Sequence, residues 1–487
     1  MVYEAVIGLE VHAELATRSK MFCSCPVLDL TRAEPNSAVC PVCAGMPGML
    51  PVVNRQAVEY AIRVGLALEC QINRSSLFAR KNYFYPDLPK GYQISQYEYP
   101  IAEKGRLLIR TPQGETLVRI RRAHLEEDTG KLTHVEQNDQ NYSLVDLNRA
   151  GVPLLEIVTE PDLHTLDEVR AYATSLRALL RALGVNSGDM EKGVIRFEAN
   201  VSIRPQGTSE LGTRVEIKNL NSFRFMERAI TYELERQARL LDAGGKVEQE
   251  TLGWNEAEGR TFSQRSKEEA HDYRYFPEPD LPPLVLPEEW IAEIAAGLPE
   301  LPQAMARRFQ SQYALSPAAA AVLVEERVVA AYFERAVQAG PQVPPPVIAN
   351  WLTGEVFSWL NQNGAAFEQL KLTPAGLAEL LGMVGRGEIN QGTAKSVLAE
   401  MLDNGRSAAE IAAARGLKQI NDSDLIAGLV RQVLEAAPQE VASFRAGKET
   451  LSNWFFGQVM KAARGQANPQ VLRAELERQL KLLKESF

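Results

Sequence analysis

The segment Pro277-Glu278-Pro279-Asp280-Leu281-Pro282-Pro283 constrains this chain more than any other. Its prolines fix the backbone and remove hydrogen-bond donors, so neither a helix nor a central strand can run through it. The patterning changes across it. Before it, alternating stretches such as Leu117-Val118-Arg119-Ile120 and Val194-Ile195-Arg196-Phe197 read as strands. They are interspersed with helical patterns over Leu166–Leu183 and Phe225–Leu241, the latter with Ile230, Leu234 and Ala238 at helical spacing. After it, residues 295 to about 405 are Ala- and Leu-rich with helical periodicity, broken at Pro341 and at Pro344-Pro345-Pro346. A last helical segment ends in a Leu/Glu/Lys-rich helix from Pro469, its weakest stretch lying between Gly457 and Gly465. The expected fold is an α+β N-terminal domain over 1–293, an all-α helical domain over 294–405 and a small helical tail domain over 406–487. A chain of 487 residues is too long for one core, which agrees.

Composition excludes little. Hydrophobic residues make up 45% and charged residues 24%, as in ordinary globular proteins. No apolar run is long enough to span a membrane. The start, Met1-Val2-Tyr3-Glu4-Ala5, lacks the build of a secretory signal, so a cytoplasmic location is expected. A net charge of −9 does not announce a nucleic-acid binder. The charge is uneven, however: 12 Lys+Arg against 9 Asp+Glu from Arg406 onward leaves the tail mildly basic on an acidic body. No G-x-x-x-x-G-K-[ST] loop and no G-x-G-x-x-G fingerprint occurs, which argues against a P-loop or Rossmann nucleotide site.

Four of the five cysteines fall in one segment, as Cys23-x-Cys25 and Cys40-Pro41-Val42-Cys43. Two thiolate pairs across a loop suit a tetrahedral zinc, and four protein ligands make that site structural rather than catalytic. Merely reduced cysteines are the bland alternative. Redox use of Cys40 and Cys43 lacks a thioredoxin-like βαβ context.

Acidic residues inside strand-like segments are costly unless solvated, paired or metal-bound. In Val6-Ile7-Gly8-Leu9-Glu10-Val11-His12, Glu10 and His12 project to one face. In His124-Leu125-Glu126-Glu127-Asp128, Glu126 and Glu127 point oppositely, so only one of them can join Glu10. Glu198 and Glu216 lie in further strand-like stretches. Converging, such groups would form an oxygen-rich Mg²⁺ site; singly, each reads as a solvent-facing residue.

Together these stretches resemble a known family. The resembling runs are Ile7–His12, Cys40–Asn54, Arg80–Ile101, His124–His134, Asp146–Asp162, Ala199–Pro205, Thr213–Phe225 and Arg265–Leu284. The tail adds Gly457–Lys461 and Gly465–Pro469. They are similar to the B-subunit family of heterotrimeric glutamyl/aspartyl-tRNA amidotransferases, and the resemblance spans nearly the whole chain. It implies a cradle domain related in fold to glutamine synthetase, then helical and tail domains with tRNA-binding duties. It implies phosphorylation by ATP of the side-chain carboxylate on Glu-tRNA(Gln) or Asp-tRNA(Asn), then amidation by ammonia from an amidase-type A subunit braced by a small C subunit. The misacylating aminoacyl-tRNA synthetase is a further implied partner, and no membrane is involved.

The resemblance also implies roles for residues. Glu10, His12 and Glu127, with Glu126 as the alternative to Glu127, and Glu198 and Glu216 are the implied Mg²⁺ ligands. Glu10, His12 and Glu127 carry the chemistry. The family usually has Cys-Asp where this chain has Phe197-Glu198, a ligand one methylene longer. Cys23, Cys25, Cys40 and Cys43 are a zinc set that many members lack. Lys81, Tyr83, Tyr85 and Lys90 form a basic, aromatic stretch suited to the aminoacyl end and a terminal adenine. Asn148, Arg149, Lys218, Asn219, Arg265, Lys267, His271 and Arg274 are implied phosphate- or substrate-binding residues. Lys461, Arg464 and Gly465 would approach the tRNA backbone. Trp454 departs from the small residue usual near that position. A non-catalytic tRNA-binding scaffold is the competing reading, and a free-standing small-molecule ligase has no evident need for the helical extension.

Overall fold

The strand Tyr3–Glu14 sets the architecture. Its odd-numbered residues Ile7, Leu9, Val11 and Ala13 are buried in the core, while Glu10, His12 and Glu14 project to the opposite face. It pairs antiparallel with Pro153–Thr159 on one side and with Ile195–Pro205 on the other. Gly114–Glu127 follows beyond Pro153–Thr159. Beyond Ile195–Pro205 come Val215–Leu220, Glu250–Asn255 and Arg260–Ser266. The pairing of Val215–Leu220 with Glu250–Asn255 is parallel, so the sheet is mixed; it has 12 strands among the described residues. In the computed structural model the described residues are 2–137, 140–266, 273–417, 422–463 and 466–485.

Helices Arg55–Ala67, Leu166–Ala182 and Phe223–Asp242 contribute to the core on the apolar side. Their starts are written locally. Asn54 accepts from the amides of Gln56 and Ala57, Ser222 accepts from Phe225, and Thr165 forms a reciprocal box with Glu168. Each such cap stabilises by about 1 kcal/mol. The helix Phe223–Asp242 departs from expectation. Its buried stripe is Met226, Ala229, Ile230, Glu233 and Gln237, with Leu234 and Ala238 only half-buried. The two buried polar groups are satisfied: Arg236 forks onto Glu233, and the Gln237 amide donates to the Val201 carbonyl and to Glu233.

The proline-rich segment opens with Phe276–Pro277 as a short edge strand on Ala79–Asn82, where a missing donor is tolerated. The chain does not leave the first unit there. Helix Glu288–Ala296 packs Trp290, Ile291 and Ile294 against the first core, followed by Leu298 and Leu301. The first unit therefore extends over Met1–Ala304, and the second over Met305–Phe487. The second unit is helical and holds two cores. One runs from Phe309 to Ala412, the other from Ile426 to Leu480. Helix Ala408–Ala414 gives Ala408, Ile411 and Ala412 to the former, so the tail's own core begins after the expected boundary at 406. No helix of the described residues is long and apolar enough to cross a membrane.

Candidate active site

Strand register aligns the polar face into rungs. One rung runs Arg122, Val158, Glu10, Glu198; the next runs His124, Glu156, His12, Arg196. Glu126 and Glu14 flank Leu154 in the third. Side chains on adjacent strands of one face lie within reach of each other, so register alone concentrates acids and imidazoles here. Glu10, His12, Arg122, His124, Glu126, Glu156 and Glu198 line an open cavity of about 440 Å³, from which Glu14 and Arg196 are absent.

Two groups form. His12, Glu126 and Glu156 each place a ligand atom within 4.8 Å of the others, and so do Glu10, Glu198 and Glu216. In the first, His12 Nε2 lies 3.3 Å from Glu156 and 3.8 Å from Glu126. His124 Nε2 lies 3.5 Å from Glu156. In the second, Asn200 donates to Glu10 at 2.8 Å, Thr251 donates to Glu216 at 2.8 Å, and Lys218 sits 2.8 Å from Glu198 and 3.6 Å from Glu216.

The electrostatics follow from crowding. Burial, then the Glu156, Glu198 and Glu216 carboxylates, push the Glu10 carboxyl upward. Burial and Glu156 raise Glu126 to about 7. Burial alone would lower the His12 imidazole, but the Glu156, Glu198 and Glu126 carboxylates together outweigh it and lift His12 to about 9. His124 is driven down to about 3 by burial and is neutral. Against burial, the Lys218 ammonium holds Glu198 at about 2. Carboxylates that raise one another in a cavity fit a divalent cation: oxygen donors with a single imidazole suit Mg²⁺, and the open side leaves room for waters and phosphate oxygens.

Glu127 is not part of this face. It points the other way, accepts from Lys90 at 2.6 Å and from the Ile94 amide at 3.0 Å, and lines a separate cavity of about 280 Å³ beside Cys23 and Cys43. The structure thus brings Glu126, rather than Glu127, to Glu10 and His12. Lys81 does line the acidic cavity, its ammonium 5.0 Å over the Tyr273 ring and 5.8 Å over Tyr83. Tyr83 meets Tyr85 and Tyr273 edge-on, and Tyr85 is exposed.

Other expected binding residues lie elsewhere. Asn148 bridges the Glu34 carbonyl and the Ala38 amide, which tethers the cysteine loop. Arg149 donates to the Thr129 and Gly130 carbonyls. Neither lines the acidic cavity. Asn219 is exposed, with φ of 65° at the bulge beside Glu198. Arg274 is exposed and its carbonyl accepts from Asn82. The backbone of Arg265 pairs with Thr251. Lys267 and His271, like Arg464 and Gly465, lie outside the described residues. Lys461 is exposed on helix Leu451–Ala462.

The cysteines converge. Their four sulfurs lie within 4.8 Å of one another, with Cys43 Sγ 3.8 Å from Cys40 and 3.9 Å from Cys25. A tetrahedral zinc with Zn–S near 2.3 Å requires sulfurs about 3.8 Å apart, so the residues fit. The buried Lys20 ammonium stands 3.6 Å from Cys43 Sγ and donates to the Ala38 and Leu147 carbonyls. Hydrogen bonding from Cys23 leads the effects that lower the Cys43 thiol to about 4, and Lys20 adds to it.

Sequence reasoning missed Glu156, His124, Arg122 and Lys20. A signal for Glu156 existed: an acid inside the otherwise apolar Leu154-Leu155-Glu156-Ile157-Val158, every residue of which is buried.

Comparisons with known proteins identify the family. Residues 5–292 match the family model described as the GatB/GatE catalytic domain, and residues 331–480 match that of the GatB domain. Curated relatives, each named as the B subunit of an aspartyl/glutamyl-tRNA(Asn/Gln) amidotransferase, align end to end. That of Thermodesulfovibrio yellowstonii is 50% identical over 485 residues, covering 100% of both chains. That of Myxococcus xanthus is 51% identical over 478 residues, covering 98% of each, and that of Roseiflexus castenholzii 50% over 484 residues, covering 99% of each. With both models matched and half the residues shared along its full length, the chain belongs to the B-subunit family of the tRNA-dependent amidotransferases.

Proposed function

We propose that this chain is the B subunit of a tRNA-dependent amidotransferase and that the acidic cavity is its ATP-dependent amidation site, acting on Glu-tRNA(Gln) or Asp-tRNA(Asn). The observation that carries this reading is the pair of three-ligand groups, His12/Glu126/Glu156 and Glu10/Glu198/Glu216, side by side on one open sheet face.

The chemistry sets the demands. A carboxylate is a poor acyl donor. Its oxygen attacks the γ-phosphorus of ATP, the bond to the bridging oxygen breaks, and ADP leaves with the electron pair. Ammonia then adds to the acyl carbon, phosphate leaves with the C–O electrons, and the nitrogen loses a proton. The protein's task is positioning and charge neutralisation, and no nucleophile of this chain is required. Mg²⁺ at the two groups supplies neutralisation of phosphate charge when bound. Lys218 holds Glu198 and Glu216 together and keeps Glu198 ionised. Lys81, fixed over two tyrosine rings, presents a cation to the incoming anions. Tyr83 and Tyr85 offer stacking faces to the terminal adenosine.

In the same reading, ammonia comes from an amidase-type A subunit with a small C subunit, and the misacylating synthetase supplies the charged tRNA. Lys461 in the tail contacts the tRNA backbone. Zinc at Cys23, Cys25, Cys40 and Cys43 pins the loop beside the Lys90–Glu127 pair and takes no part in catalysis.

The test assembles the chain with both partner subunits, Glu-tRNA(Gln), ATP, Mg²⁺ and glutamine. Glu10→Gln and His12→Ala are expected to abolish phosphate release and Gln-tRNA formation together while tRNA binding persists. Near-normal rates in both variants would make the cavity structural and favour a tRNA-binding scaffold.

A further inference from the structure

Among the described residues, three cations line the acidic cavity without a carboxylate of their own: Lys81, Arg122 and the exposed Arg214. Lys218 is paired with Glu198 and Glu216. Lys81 and Arg122 differ: among the described residues, no carboxylate oxygen lies within 4.0 Å of either. The Arg122 guanidinium makes one hydrogen bond, from Nη1 to the Tyr97 carbonyl at 3.4 Å, and its Nε is buried without a partner. It is braced instead by rings. Its Cζ stands 5.5 Å over Tyr97, which stacks on Tyr275 at 4.2 Å with planes 11° apart. Register fixes Arg122 across Val158 from Glu10, in the same rung as Glu198.

A half-buried guanidinium with an unpaired N–H is costly, and a ring platform holds it without satisfying it. An anion entering the cavity would supply the charge partner that the guanidinium lacks. The esterified amino acid has only its reacting carboxylate, so the anion with oxygens to spare is the phosphoryl group. We propose that Arg122, braced on the Tyr97–Tyr275 stack, binds the phosphoryl oxygens as they pass from the nucleoside triphosphate to the substrate carboxylate. This rests on the reading of the cavity as the amidation site. The guanidinium fork matches two phosphoryl oxygens at once, and in transfer the charge spreads over those oxygens. No proton moves to or from Arg122; it acts by charge and by fixed position.

The experiment uses the assembled heterotrimer. Phosphate release is measured against ATP concentration, tRNA binding by filter retention and glutamine hydrolysis by the partner subunit. Arg122→Met keeps volume against Tyr97 and removes the charge; it is expected to lower phosphate release about 10²- to 10³-fold while tRNA binding and glutamine hydrolysis persist. Arg122→Lys restores charge without the fork and is expected to recover about tenfold of that loss, with a raised KM for ATP. Release by Arg122→Met within about threefold of the parent overturns the proposal, as does parallel loss of tRNA binding and release. Should Arg122→Met fail to assemble, Arg122→Lys decides: a slowed release or a raised KM for ATP supports the assignment, and unchanged kinetics overturn it. Glu10→Gln run alongside separates the two claims. If it too stays active, the reading of the cavity fails; if it alone is dead, only the role of Arg122 does.

Discussion

The cysteine cluster and the acidic cavity each gather groups that can hold a metal ion, on opposite principles. The cysteines sit on a loop, four soft ligands facing one point, with nothing left open. The acidic groups sit on paired strands, hard oxygen ligands in excess, facing a cavity of about 440 Å³. A loop has no fixed geometry of its own, so a closed metal site can contribute folding energy to it. A sheet already has its geometry, so carboxylates on it can be kept close against their repulsion for use by a ligand. The comparison teaches that ligand count and support, taken together, separate a site that holds the fold from one that does chemistry.

The sharpest way to break the contrast is Glu156→Gln. Glu156 stands between two imidazoles, at the centre of the rung His124, Glu156, His12. An amide keeps its shape and removes its charge. Amide formation by the assembled enzyme is expected to fall by about 10³-fold or more, and the melting temperature to fall as well, because the His12 imidazolium and Lys81 lose the carboxylate that compensates them. Parallel assays of Gln-tRNA formation and thermal unfolding check this. A variant that melts early but turns over normally would place Glu156 with the structural residues.

Cys40→Ser should separate the two effects. Elemental analysis is expected to find one zinc per parent chain and a loss of it in the variant, with the melting temperature lowered by several degrees. Turnover at a permissive temperature is expected to survive, since Glu10 and His12 are carried by a strand that the loop does not build. A parent chain without zinc, and unchanged melting in the variant, would show that the sulfurs are merely close.

How much of this was legible in the sequence follows from which period each feature obeys. Strand alternation placed Glu10 and His12 on one face, and the strand cores and the buried stripe of helix Leu166–Ala182 arose where the patterns indicated, whereas the stripe of Phe223–Asp242 did not. Alternation also required that Glu126 and Glu127 part, but parity alone does not say which one faces His12. That is fixed by pairing Glu126 with Leu154 and His124 with Glu156, a register between segments about thirty residues apart that no local rule sets. Glu156 was hidden for a related reason: its strand is buried throughout, so it shows no alternation. Arg122 reads as one more arginine in Arg119-Ile120-Arg121-Arg122, and only the fold shows that Arg119 and Arg121 find carboxylates while Arg122 finds Tyr97. Asn148 and Arg149 lie away from the acidic cavity. The resembling motif marks them as polar residues for a ligand, and their side chains hydrogen-bond loop backbone, a tertiary contact that the motif does not encode.

The finest test of the comparison lies on the His12 strand itself, at Glu14. It projects to the same side as Glu10 and His12 but is absent from the cavity lining. Its Oε1 is 3.7 Å from Arg196, whose two terminal nitrogens are both engaged by Asp128 at 2.9 Å. One cation thus serves two carboxylates. Burial, then the Asp128 charge, raise Glu14 to about 8, while Asp128 is lowered against burial by Arg196 and Arg149. A carboxyl raised in the folded state contributes stability that is fully present below its unfolded value near 4.5 and is lost as pH climbs through about 8. Glu14→Gln removes that dependence. In chelator, with metal excluded as a variable, the parent's melting temperature is expected to fall relative to the variant between pH 5 and pH 9, by about 2–4 °C for each kcal/mol of linkage. The two curves should lie close together at the acid end. A constant offset across the range would mean that Glu14 stays ionised beside Arg196. It would then belong with the paired surface acids, and the strand's buried charge would be confined to the residues that face the cavity.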